Sequence, residues 1–275
     1  MIKLIASDLD NTALYEGELY EANKSAIRRA LDEGVEFVAV TGRGLSAIPD
    51  AFWTLKGFCY AITSNGACIT KLDTGEKLAH YTIDSKDVVK LIKIAIDYNA
   101  AVEIFVDGRA YVSTDYYLNP VKYGMPEGLV PYVTSSRTPV ESILGLINDN
   151  LSNIDNFAFV VKDAEMHKNV VAKVRDMCPD TFIVDCEPQW VEVMNPLCNK
   201  GNSLMKLAEY LGINADEIAA VGDGDNDIEM LEYAGFSVAM GNASPKLKEI
   251  ADFITLDVQK DGLAYAIDKI LKEYR

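Results

Sequence analysis

The sequence predicts an α/β protein whose parallel-sheet core is interrupted by an inserted α+β domain, and three observations point there. Short apolar runs alternate with amphipathic stretches from the N-terminus to about Thr63, as strands and crossover helices do in a parallel sheet. The same alternation resumes after Asn195. Between them the order becomes helix, two strands, helix, strand, helix, two strands, which suits a separate layer over one mixed or antiparallel sheet. The expected segments are 1–82 and 189–275 for the core and 83–188 for the insertion.

Taken in order, "KLIAS" reads as a buried strand, "EANKSAIRRALDEG" as an amphipathic helix stopped by Gly34, and "VEFVAV" as the next strand. A helix around "GLSAIPDAFW" leads to the strand "CYAIT", and two extended runs then flank the hairpin signal "DTGE". The insertion opens with a helix, "SKDVVKLIKIAIDYN", and strands "AAVEIFV" and "AYVS" on either side of "DGR". A Pro/Gly/Tyr-rich stretch, "YYLNPVKYGMPEGLVPY", reads as irregular. A helix near "PVESILGLINDN", the strand "NFAFVV", the helix "AEMHKNVVAKVRDM" and the strands "TFIVD" and "QWVEVM" come next. The closing segment alternates helices "KGNSLMKLAEYLG", "NDIEMLEYAG", "SPKLKEIA" and "GLAYAIDKILKEY" with strands "EIAAVG", "FSVAM" and "DFIT".

Composition narrows the function. With 49% hydrophobic and 25% charged residues over 275 positions, the chain can bury a full core and has the balance of a soluble globular protein. No apolar run suits a membrane span, and "MIKLIASDLD" turns acidic too soon for a signal peptide, so a cytoplasmic location is expected. A formal charge of −16 repels nucleic acid and anionic lipid, and an anionic substrate would need a local positive site. Cys59, Cys68, Cys178, Cys186 and Cys198 form no C-x-x-C pair and are expected to be small core residues. His80 and His167 stand in no hydrolase or metalloprotease motif and are expected at the surface or in the hairpin. Neither a Walker loop nor a G-x-G-x-x-G fingerprint is present.

Ligands of open α/β sheets bind beyond the carboxyl ends of the strands. Asp8 and Asp10 follow the first strand, Thr41 and Gly42 the second, and "GDGDND", residues 222–227, follows "EIAAV". Lys200 adds a cation at the start of a helix. In an extended strand Asp8 and Asp10 would face the same side and repel each other. An EF-hand reading of the second acidic run fails, because Ile228 and Ala234 stand where Gly and Glu are required. Gathering Asp8, Asp10, Asp223 and Asp227 calls for a cation, and hard oxygen ligands with waters left in the shell suit Mg²⁺. Acids, metal, lysine, hydroxyl and loop amides together suit phosphoryl transfer, with a carboxylate as the remaining nucleophile.

"DLDNT", "VTGR", "NKG" and "GDGDND" in this order resemble the four-motif set of the haloacid dehalogenase (HAD) superfamily. The insertion and "ITSNGA", residues 62–67, resemble its Cof-type phosphatases of subfamily IIB, which carry a C2-type cap. The resemblance implies a Rossmann-like parallel-sheet core with an inserted α+β cap, and Mg²⁺-dependent hydrolysis of small phosphomonoesters. It implies that Asp8 attacks phosphorus to form an aspartyl-phosphate, and that Asp10 acts as general acid and base. Leu9, Thr41, Gly42, Lys200 and Asn226 are expected at the phosphate. Asp8, the Asp10 backbone carbonyl and Asp223 are expected on Mg²⁺, with Asp227 in support. Asn11 stands where the family has Gly and tolerates tight-turn angles; Asp225 is expected to face solvent or cap the next helix.

Substrate contacts are expected from Asn65, Arg43 and Tyr117, with Tyr116, Lys122 and Tyr123 as further candidates; packing of these tyrosines within the insertion is the competing reading. The expected partner is a small phosphorylated metabolite, not nucleic acid or membrane, and the expected assembly a monomer or homodimer. Transfer to a sugar acceptor, as in related phosphomutases, is a second reading, and a phospho-accepting signalling module a third. The length and the insertion disfavour the third.

Overall fold

The computed structural model describes residues 1–184 and 188–274. They fall into two compact units, one of residues 1–43, 48–79 and 199–275, the other of 44–47 and 80–198.

In the first unit, β1 (Leu4–Ser7), α1 (Glu21–Asp32), β2 (Glu36–Val40), α2 (Asp50–Trp53), β3 (Tyr60–Thr63), β4 (Cys68–Lys71) and β5 (Glu76–His80) come first. Pro49 explains why the helix expected around "GLSAIPDAFW" is only one short turn. It lacks an amide hydrogen and disfavours helical angles in its predecessor, so α2 starts behind it.

The second unit carries α3 (Ser85–Asp97), β6 (Ala101–Val106), β7 (Arg109–Ser113), α4 (Thr114–Leu118), α5 (Val130–Ser136), β8 (Arg137–Val140), α6 (Ile143–Asp149), β9 (Ile154–Val160), α7 (Ala164–Met177), β10 (Phe182–Val184) and β11 (Trp190–Met194). The first unit then resumes with α8 (Lys200–Leu211), β12 (Ile218–Gly222), α9 (Ile228–Tyr233), β13 (Phe236–Ala239), α10 (Pro245–Ile250), β14 (Phe253–Ile254) and α11 (Gly262–Glu273).

The sheet of the first unit runs β14-β13-β12-β1-β2-β3-β4-β5. It is parallel from β14 to β3, and β4 turns antiparallel to β3. β1, β12 and β13 are buried throughout, as expected of strands covered on both faces. Helix α1 packs on α11, and α8 on α9. The connections leaving β1 go one way to β2 and later elements take the other side through β12, so the reversal point lies between β1 and β12.

The sheet of the second unit runs β10-β11-β9-β6-β7-β8, antiparallel except for β7 with β8. Val88, Leu91, Phe157, Val170 and Val191 make the core beneath α3 and α7, and Tyr116, Met125, Val133 and Trp190 form a second cluster. The stretch read as irregular therefore contains α4 and α5 beside short turns. A buried ion pair braces it: Arg137 Nε donates to Glu103 Oε2 at 2.8 Å, and the Tyr116 hydroxyl donates to Oε1 at 3.0 Å.

The second unit ends at Cys198 rather than at 188, because β11 pairs with β9 and β10 in this sheet. His80 lies at the end of the hairpin strand β5, as expected, and already belongs to the second unit, where its Nε2 contacts the fully buried carboxylate of Asp155, which also accepts the Gly108 amide at 2.9 Å. His167 uses Nδ1 toward the Pro188 carbonyl at 3.1 Å. Cys68, Cys178 and Cys198 are buried and Cys59 half-buried, none of them in a disulfide among the described residues, while Cys186 lies outside those residues. Among the described residues no helix is long and apolar enough to cross a membrane.

Candidate active site

The carboxyl end of β1 delivers Asp8. Its amide donates to the Val221 carbonyl at 2.9 Å, so the parallel ladder with β12 continues one residue past the strand. The chain then turns: Leu14 and Thr12 both return amides to the Leu9 carbonyl, and Asn11 sits at φ 58°, in the left-handed region that Asn tolerates better than most residues. This turn separates the two aspartates that an extended strand would have placed on one face. Asp8 points into the buried site. Asp10 is half exposed and is clamped by Arg43, whose Nε and Nη2 donate to its two oxygens at 2.8 and 2.6 Å.

Helix α8 brings Lys200 to Asp8. Asn199 caps the helix by accepting the Asn202 amide at 2.6 Å, and Lys200, its first residue, is buried to 1% side-chain exposure. The ammonium donates to Asp8 Oδ1 and Asp227 Oδ1, each at 2.6 Å. The other oxygen of Asp227 accepts the amides of Asp223 and Gly224 at 2.9 and 3.0 Å. Glycine is needed at 222, since a Cβ there would lie 2.5 Å from that same oxygen. Asp223 accepts the Thr12 hydroxyl at 3.2 Å and the Asn242 amide at 3.4 Å.

Ligand oxygens of Asp8, Asp223 and Asp227 lie within 4.8 Å of one another. One ammonium cannot neutralise three carboxylates. Burial, reinforced by Asp227 and Asp223, pushes Asp8 well above the usual carboxylate range against the pull of Lys200. Asp223 is pushed up to about 6, first by burial and then by Asp227. Burial pulls the Lys200 ammonium down, but Asp227 and Asp8 more than offset it and hold it above its ordinary value. Three crowded hard oxygen donors served by a single ammonium are two positive charges short, which suits a divalent cation.

From the second strand, Thr41 is buried and accepts the Arg43 amide on its hydroxyl at 3.1 Å, and Gly42 follows it. Asn226 donates its side-chain amide to Asn65 Oδ1 at 3.2 Å. Asp225 stands apart, taking Lys246 and Ser244 of the α10 region at 2.7 Å each. Tyr117 gives its hydroxyl to the Thr134 carbonyl at 2.9 Å and Tyr116 is buried against Glu103, so both serve their own unit's packing. Lys122 is paired with Asp115 at 2.6 Å, and Tyr123 contacts the same carboxylate. Thr12 and Asn242 were not singled out in the sequence. Thr12 lies inside "DLDNT" and could have been, whereas nothing local marks Asn242.

The sequence matches the haloacid dehalogenase-like hydrolase family over residues 5–267. This chain belongs to that family. Phosphatase YwpJ of Bacillus subtilis is 31% identical over 290 residues, covering 98% of this chain and 100% of the relative. The 5-amino-6-(5-phospho-D-ribitylamino)uracil phosphatase YcsE of the same organism is 30% identical, covering 97% of this chain and 94% of its own. A solved haloacid dehalogenase-like hydrolase from B. subtilis superposes with a TM-score of 0.81 at 28% identity, over 97% of this chain and 99% of that one. The acidic cluster, Lys200 and the Thr41–Gly42 turn all lie in the first unit of this hydrolase.

Proposed function

We propose that the chain is a Mg²⁺-dependent phosphatase of small phosphomonoesters, sugar phosphates or phosphorylated cofactors, working through an aspartyl-phosphate on Asp8. The observation that carries this reading is the Lys200 ammonium at 2.6 Å from both Asp8 and Asp227, with Asp223 completing a three-carboxylate cluster. A magnesium ion held by Asp8, Asp223 and Asp227 would supply the charge that draws phosphoryl oxygens to an otherwise anionic site. Lys200 orients the Asp8 carboxylate for attack on phosphorus. As that bond forms, the bond to the leaving alkoxide breaks, and Asp10 gives the alkoxide its proton. Water then attacks phosphorus, Asp10 takes its proton, and the Asp8 carboxylate leaves as inorganic phosphate is released. Arg43 aims Asp10 for both transfers, while the Thr41 hydroxyl, the Leu9 and Gly42 main chain and Asn226 hold phosphate oxygens. The inserted unit serves as the cap that selects the leaving group.

The relative acting on a phosphorylated ribityl compound supports a small phosphomonoester as substrate. The test is inorganic phosphate release from a broad phosphomonoester panel, with Mg²⁺ or with chelator, for wild type and Asp8→Asn. Release that needs the metal and disappears in Asp8→Asn is expected; release indifferent to both would refute the reading.

A further inference from the structure

Ser64, Asn65 and Gly66, directly after β3, have φ values of 50°, 50° and 97°, three successive residues in the left-handed region. Two of them are not glycine, and such backbone is unfavourable unless the surroundings hold it. The Ser64 hydroxyl is also fully buried with no hydrogen-bond partner among the described residues. Glycine at 65 would adopt the same angles without strain. The reason for a side chain at Asn65 must therefore lie elsewhere than in the backbone's needs.

Its contacts supply that reason. The Asn65 amide donates to the Thr41 carbonyl at 3.0 Å, and the Ser64 amide to the Arg43 carbonyl at 2.9 Å, so the loop grips both ends of the Thr41–Gly42–Arg43 turn. The Asn65 carboxamide lies over Gly42, where a Cβ would sit 3.1 Å from Oδ1. That oxygen accepts from Asn226, whose own carboxamide oxygen is pressed against Gly224 so closely that a Cβ there would come within 2.6 Å. Gly66 closes the third side: its carbonyl accepts the Ser203 hydroxyl at 2.6 Å, and a Cβ on it would meet the Asn199 carbonyl at 2.4 Å, next to Lys200. One strained loop thus touches the segments carrying Gly42, Asn226 and Lys200.

We propose that Asn65 is a positioning residue of the phosphate-holding groups: its carboxamide fixes the Asn226 side chain and the Gly42 main chain so that both present donors to one phosphoryl group. This replaces the expectation of Asn65 as a contact to the leaving group, and it rests on the phosphatase reading above. Asn226 has two N–H bonds; the one spent on Asn65 aims the other.

The experiment compares wild type, Asn65→Gly, Asn226→Ala, the double variant and Asp8→Asn in steady-state phosphate release from the best ester of the panel, with inorganic phosphate as competing product. Thermal melts run alongside, and Asn65→Ala, which removes the acceptor at some cost in backbone strain, stands in if Asn65→Gly fails to fold. The expected result for Asn65→Gly is a loss of about ten- to a hundredfold in kcat/KM, falling mainly on kcat, with weaker inhibition by phosphate and an essentially unchanged melt. In the Asn226→Ala background Asn65→Gly should cost less than about threefold more, the sign of shared action. Wild-type kcat/KM and phosphate inhibition in a folded Asn65 variant, or losses that multiply in full, would overturn the proposal. If Asp8→Asn stays active, the phosphatase reading itself falls; if Asp8→Asn is dead and a folded Asn65 variant is not, only this inference does.

Discussion

Lys200 and Asp223 show how the site sets stability against use. Replacing Lys200 with methionine removes the ammonium that Asp8 and Asp227 share and leaves two buried carboxylates facing each other. Breaking a buried pair from one side costs about 3–5 kcal/mol, so Lys200→Met should melt markedly lower in chelator, with Mg²⁺ recovering part of the loss. Asp223→Asn should do the opposite to stability: with one repelling charge fewer, the chelated protein melts higher while phosphate release is lost. The proton behaves like that substitution. Asp223 titrates in the fold at about 6, above the ordinary carboxylate range, so the folded state holds its proton where the unfolded chain has released it. Stability in chelator should therefore fall as pH rises from about 4 through about 6, and Asp8, whose proton is held in the same direction, adds to the fall. Mg²⁺ competes with the protons on Asp223 and Asp8, so its stabilising effect should grow as pH rises through about 6, as melts with and without the ion across pH would show.

At the scale of elements, the helix start that carries Lys200 is fixed by a glycine. A Cβ at Gly201 would lie 2.5 Å from the Glu229 carbonyl of α9, so Gly201→Ala must push α8 off α9. A cost of about 1–3 kcal/mol and a larger loss of activity than of stability are expected, since Lys200 moves with the helix; denaturant unfolding and phosphate release measure the two. The elements that build this site were legible because each has a strong local pattern: buried apolar strands β1, β2 and β12, then Asp8, Thr41 and "GDGDND" at their ends. Features set by contacts between distant residues were not legible. The strand β8 contains Pro139 and survives only at a sheet edge, where a missing amide hydrogen is tolerated. The element order reads "QWVEVM" as the insertion's last strand while the bound at 188 cuts it off, and the pairing of β11 with β9 keeps it in the insertion. The divergence of Asp8 from Asp10 depends on the turn at Asn11 and on Arg43, 33 positions away from Asp10. Asp225 faces solvent as expected, and what the sequence did not show is its pairing there with Lys246, a contact remote in sequence.

For the whole molecule, charge and catalysis oppose each other. A net charge of −16 repels an anionic ester at long range, although the site it seeks holds a lysine and is suited to a divalent cation. Screening should relieve this. At fixed saturating Mg²⁺, kcat/KM for a dianionic ester is expected to rise a few-fold between low salt and about 0.15 M, where the Debye length is near 8 Å, with kcat little changed. The central claim is that Asp8, gathered with Asp223, Asp227 and Lys200 from three parts of the chain, bonds covalently to phosphorus. The direct measurement is rapid acid quench of enzyme turning over a substrate with Mg²⁺, followed by mass mapping of the peptide that contains Asp8. The account predicts one added phosphoryl group on Asp8, absent in Asp8→Asn and in chelator. Turnover with no phosphoryl group on Asp8 at any quench time, together with undiminished phosphate release by Asp8→Asn, would contradict it.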